Sequence, residues 1–86
     1  MAELKLRREA LEWREVEGEV VALDVGAAEY LAANPAGAVL WRTLARGCSR
    51  ADLISALVSE FRVDQDTAGR DADRFVASLR ERDLLA

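Results

Sequence analysis

Apolar and polar residues alternate from Ala10 onward. Leu11 and Trp13 fall on one face of an extended segment, and Glu12 and Arg14 on the other. Glu17-Gly18 can form a two-residue hairpin turn, because glycine accepts a positive φ. A second strand follows from Glu19 to Val25, with Val20 and Ala22 on one face and Val21, Leu23 and Val25 on the other. Apolar residues on both faces predict a central strand covered on both sides. Gly26 marks a second turn, and a third strand is expected from Ala28 to Ala33. Three strands joined by short turns make an antiparallel meander. Its third strand has a neighbour on one side only and so keeps an unpaired edge.

After Ala33 the period changes to that of a helix. Asn34 suits an N-cap and Pro35 the first helical position. Ala38 and Trp41 are three apart, and Leu40 and Leu44 four apart; Gly47 ends this helix. Ser49 and Asp52 form a capping-box pattern before a second helix that buries Leu53, Ile54, Leu57 and Val58, with Phe61 at its close. Arg62-Val63 links it to Asp64, the expected cap of a third helix carrying Ala68, Ala72, Phe75, Val76 and Leu79 on one side. Leu84 and Leu85 tuck in the end. Strands grouped before helices indicate an α+β domain, and a three-stranded antiparallel sheet followed by three helices is winged helix-turn-helix-like. Residues 1–9 are expected to be a flexible N-terminal segment and residues 10–86 the domain. The N-terminus has neither the pattern of a signal peptide nor that of a membrane span, so a cytoplasmic location is expected.

Composition narrows the function. The chain has 86 residues, 51% hydrophobic and 33% charged, with a formal net charge of −4 and no histidine. Without histidine the usual general base is missing. Cys48 sits in a turn beside a helix start, and its most economical role is as a small residue between helices. The single cysteine excludes an internal disulfide, and a zinc site would have to be assembled from carboxylates and one thiolate. Asp64, Asp66, Asp71 and Asp73 lack the glycine and terminal glutamate of a calcium loop. No metal or other cofactor is expected, and an enzyme is disfavoured. From Asp64 to Asp83, four arginines face six acids, the wrong balance for a helix that reads DNA. A protein-binding module remains. The edge of the third strand (Ala28, Glu29, Tyr30, Leu31, Ala32) would be one wall of a groove. One side of the third helix (Asp71, Arg74, Phe75, Ser78) would be the other. Tyr30, Leu31 and Phe75 can equally serve as core, and Asp71 with Arg74 as an i,i+3 surface pair.

Several segments, in order and spacing, carry a resemblance: EWREVEGEVVALDV, YLAANPAGAVLW, RGCSRADLISAL, FRVDQDTAGRDADRFVASL and LRERDLL. Together they resemble the precursor-peptide recognition domains of ribosomally made, modified peptides, the family of pyrroloquinoline quinone biosynthesis protein D. Two positions depart from that pattern. Ala33 stands where the family commonly has a larger residue, and Asp83 where it often has glycine. The resemblance implies a stand-alone adaptor that binds the leader of a precursor peptide as an added strand between the third strand and third helix. It also implies a modifying enzyme as second partner. The link and the ending look more like lasso-type members, whose partner is a leader protease. A quinone-cofactor peptide chaperone working with a radical enzyme is the nearest alternative. Outside the resemblance, a small winged-helix DNA regulator and an edge-strand homodimer remain open. No membrane partner is expected, and the chain is expected to be a monomer or a weak dimer.

Overall fold

The structure is a computed structural model that describes residues 3–86. Six main elements follow one another: β1 (Leu11–Val16), β2 (Glu19–Asp24), β3 (Glu29–Ala33), α1 (Pro35–Arg46), α2 (Arg50–Phe61) and α3 (Gln65–Glu81). The strands form an antiparallel sheet in the order β1-β2-β3. This is the expected meander with helices after it. Glu17 and Gly18, at φ 52° and 80°, make the hairpin turn between β1 and β2. Positive φ at both central residues gives the turn a twist that matches its strands.

The helix starts follow from local chemistry. Asn34 accepts from the Gly37 N–H, and Pro35 begins α1. Ser49 and Asp52 make both bonds of the capping box before α2. Asp64 accepts from the Thr67 N–H at the head of α3. Each cap satisfies backbone donors that the first helical turn leaves free. In α3, Ala68, Ala72, Val76 and Leu79 are buried, and this spacing makes one continuous face. They join Val20, Ala22, Leu40, Trp41, Leu44, Leu53 and Leu57 in a single core between the sheet and the helices.

Two expectations change. β2 is central in the sheet but covered on one face only. Val20 and Ala22 are buried, whereas Val21 and Val25 are exposed and Leu23 half-buried. Apolar residues on the outer face therefore report an open sheet surface, not a second covering layer. The N-terminal segment, expected to be loose, is fastened from Leu4 onward. Leu4 and Cys48 exchange backbone hydrogen bonds, Arg7 N donates to the Leu84 carbonyl, and Leu6 is 2% exposed within the core. The alternation of Leu4 and Leu6 was the signal for this, hidden among charges. Met1 and Ala2, the start of that segment, lie outside the described residues.

Candidate functional site

Strand register decides which backbone groups are free. Val25 N donates to the Ala10 carbonyl, and directly opposed antiparallel residues alternate between bonded and unbonded pairs. Along the β1–β2 register, Val25, Leu23, Val21 and Glu19 therefore turn their polar groups toward β1. Val20, Ala22 and Asp24 turn theirs toward β3, where they oppose Ala33, Leu31 and Glu29. Tyr30 and Ala32 are left with N–H and C=O groups facing the open edge. Strand β3 thus offers two donors and two acceptors to any chain that lies beside it.

Side chains on β3 divide between two faces. Leu31 and Ala33 point to the helix side and are half-buried; Tyr30, 76% exposed, and Ala32 point away from it. Between β3 and α3 lie two adjoining depressions. One is a cavity of about 240 Å³ lined by Leu31, Ala33, Trp41, Phe75, Leu79 and Arg82 among others. The second is a wider cleft of about 610 Å³ that runs from Ala32 and Ala33 past Asn34 and Gly37 to Asp71 and Arg74. Phe75 and Ser78 line both. The half-buried Phe75 ring is thus shared by the two depressions.

Where α1 meets β3 at the cleft, the residues are small. A Cβ placed on Gly37 would lie 2.9 Å from the Ala33 Cβ and 3.3 Å from the Phe75 ring, so α1 approaches β3 closely only as glycine. Behind the cavity, Trp41 packs edge-to-face on Trp13 with ring centroids 5.9 Å apart. Its buried indole N–H has no hydrogen-bond acceptor among the described residues.

The two charged side chains expected on the α3 wall are exposed. Neither Asp71 nor Arg74 takes part in an ion pair among the described residues, so the i,i+3 pair considered above does not form. At the other end of the groove, Arg82 reaches back to Glu29 on β3 and donates to its carboxylate.

Of the nine sequence-derived residues, Tyr30, Leu31, Ala32, Asp71, Arg74, Phe75 and Ser78 line the two depressions. Ala28 and Glu29 do not. Ala28 lies in the turn before β3 at φ 54°, and Glu29 is held in its pair with Arg82. Sequence reasoning missed Ala33, Gly37, Leu79 and Arg82. The α3 stride of three and four residues, 71, 74, 75, 78, continues to 82, and that extrapolation would have found Arg82.

Other chemistry is sparse. Burial pushes the Cys48 thiol up, Asp52 and Glu3 add to this, and Arg46 opposes it. Such a thiol stays protonated and is a poor nucleophile. No group of three or more Cys, Asp or Glu among the described residues could hold a metal ion. No helix there is long and apolar enough to cross a membrane.

Known proteins resemble this chain in sequence and in fold. Residues 19–85 match the family described as coenzyme PQQ synthesis protein D (PqqD). Two solved structures are similar. One is TbiB1 in complex with the TbiA(beta) leader peptide, 27% identical over 94% of this chain and 93% of that one, with a TM-score of 0.85. The other is a lasso peptide synthetase B1 complexed with the leader peptide, 32% identical over 99% of both chains, with a TM-score of 0.84. No curated protein sequence matches.

Proposed function

This chain belongs to the PqqD family, and from that premise we propose that it is an adaptor that binds the leader of a ribosomally synthesised precursor peptide. One observation carries the reading: the free polar groups of Tyr30 and Ala32 run beside a groove whose far side is formed by α3. Both similar structures are complexes with a leader peptide, which supports a peptide as the partner of this chain.

The mechanism is strand addition. Leader main-chain groups pair with Tyr30 and Ala32. Alternate leader side chains enter the groove, where the cavity and the cleft on either side of Phe75 take apolar groups. Asp71 and Arg74, neither ion-paired among the described residues, meet leader charges of opposite sign. The adaptor supplies no reacting group. Its contribution is to hold the leader while a modifying enzyme works on the adjoining segment, which raises local substrate concentration to the order of millimolar for short tethers. A leader peptidase of a lasso peptide system is the partner we favour, because both similar structures are B1-type proteins.

The test is a fluorescence anisotropy titration of the protein with labelled TbiA(beta) leader and with the leader of the precursor encoded beside this chain. A random DNA duplex runs in parallel. Saturable binding of a leader at micromolar concentration or tighter, without a DNA signal, is the expected result. Salt-sensitive DNA binding with no leader binding would overturn the reading.

A further inference from the structure

The end of the groove nearest the start of β3 is flanked, beyond the residues that line it, by charges that peptide capture in the groove does not use. Glu29 opposes Asp24 in the β2–β3 register. Directly opposed residues share a face, so two carboxylates lie side by side on the helix side of the sheet. Asp24 is 7% exposed and accepts from the Ala27 N–H at 3.2 Å. Like charges so placed repel. The cation that answers them is Arg82, which crosses from the C-terminal end of α3 and donates through Nη1 to Glu29 Oε1. Arg82 also lines the 240 Å³ cavity. Among the described residues Arg82 is the ion-pair partner of Glu29, and Asp24 has none.

Resting on the leader-binding reading, we infer that this end is a subsite for a lysine or arginine of the leader, and that Arg82 occupies it as an internal substitute while the groove is empty. A strand paired with Tyr30 and Ala32 places one of its groove-facing side chains abreast of Glu29. An apolar side chain there desolvates the Glu29–Arg82 pair and gives nothing back. A basic side chain takes the Glu29 carboxylate or shares it, and offsets the surplus charge of Asp24. The Glu29–Arg82 pair is exposed, with 59% and 41% of the two side chains accessible. Exposed pairs are weak, so a leader cation can compete with Arg82.

The probe is labelled TbiA(beta) leader in an alanine scan and a lysine scan, titrated against the wild-type chain and the Glu29→Gln and Arg82→Gln variants. Melting curves confirm that each variant is folded. The expected result is one leader position where lysine binds more tightly than alanine by about two- to fivefold, the scale of an exposed ion pair. That preference disappears in Glu29→Gln and grows in Arg82→Gln, whose freed carboxylate has no internal competitor. If Glu29→Gln melts early, the lysine preference in the wild type and in Arg82→Gln still decides. Leader binding with no lysine preference that depends on these two residues overturns the subsite and leaves the leader-binding reading intact. Absence of binding by every leader variant removes both.

Discussion

Replacing Ala32 with proline separates folding from binding. The Ala32 N–H faces the open edge of β3 and makes no bond to β2, and its side chain is exposed. Proline is tolerated on edge strands for that reason, and the preceding Leu31 is already extended, as a residue before proline prefers. The expected loss of stability is below about 1 kcal/mol. Binding is different. The leader carbonyl that Ala32 would serve loses its donor, and an unpaired buried carbonyl costs about 1–3 kcal/mol. That is roughly a 5- to 150-fold rise in Kd, and the ring's Cδ pressing on the added strand increases it. Leu31→Pro is the contrasting control. Its N–H points to Ala22 on β2, and its side chain packs against the core. That variant should lose on the order of 2–4 kcal/mol of stability. Anisotropy titrations and thermal melts on the two variants give the four values needed. Wild-type leader affinity in a folded Ala32→Pro protein would refute the pairing of a leader with this edge.

Three further outcomes are expected. Arg74→Glu should weaken leader binding severalfold while the Tm stays within a degree or two of wild type, because Arg74 is exposed and has no ion-pair partner among the described residues; anisotropy and a melt check both. Ala28→Gly should raise stability by about 1 kcal/mol, since Ala28 sits at φ 54° where a Cβ is strained, and for a domain this size that is a Tm gain of about 4–8 °C. Acid should destabilise the fold: the Thr67 backbone N–H holds the Asp64 carboxyl below its usual value, and the Arg50 side chain does the same for Asp73. A depressed carboxyl stabilises above its unfolded pKa and loses that effect as pH falls through the folded one. The Tm should therefore drop below about pH 4, and Asp64→Asn, which keeps the cap without the charge, should flatten part of the fall.

The order of elements was legible because each boundary carries its own chemistry: Glu17-Gly18 at the hairpin, Asn34-Pro35, Ser49 with Asp52, and Asp64 at the three helix starts. The groove was legible in outline, since the free edge follows from the meander and the α3 wall from helical stride. What stayed hidden depends on contacts between distant segments. Leu4 and Leu6 look like part of a charged tail until Cys48 and Leu85 are seen opposite them. The covering of β2 cannot be read from its own residues, because an exposed Val21 and a buried one have the same sequence. Arg82 belongs to the site only because its side chain crosses to Glu29. Asp83, where the family often has glycine, sits at φ 57°, so the structure keeps the left-handed turn that glycine would favour. Its ion pair with Arg7 fastens the N-terminal segment beside that turn.

The central claim is that a leader peptide adds as a strand to β3, and amide hydrogen exchange followed by NMR tests it most directly. The account predicts that saturating leader slows exchange at the Tyr30 and Ala32 amides by at least an order of magnitude, with the largest shifts along β3 and the Asp71-to-Arg82 side of α3. The Leu31 amide, already bonded to β2, should be slow before and after. Tight leader binding that leaves the Tyr30 and Ala32 amides exchanging freely would contradict it.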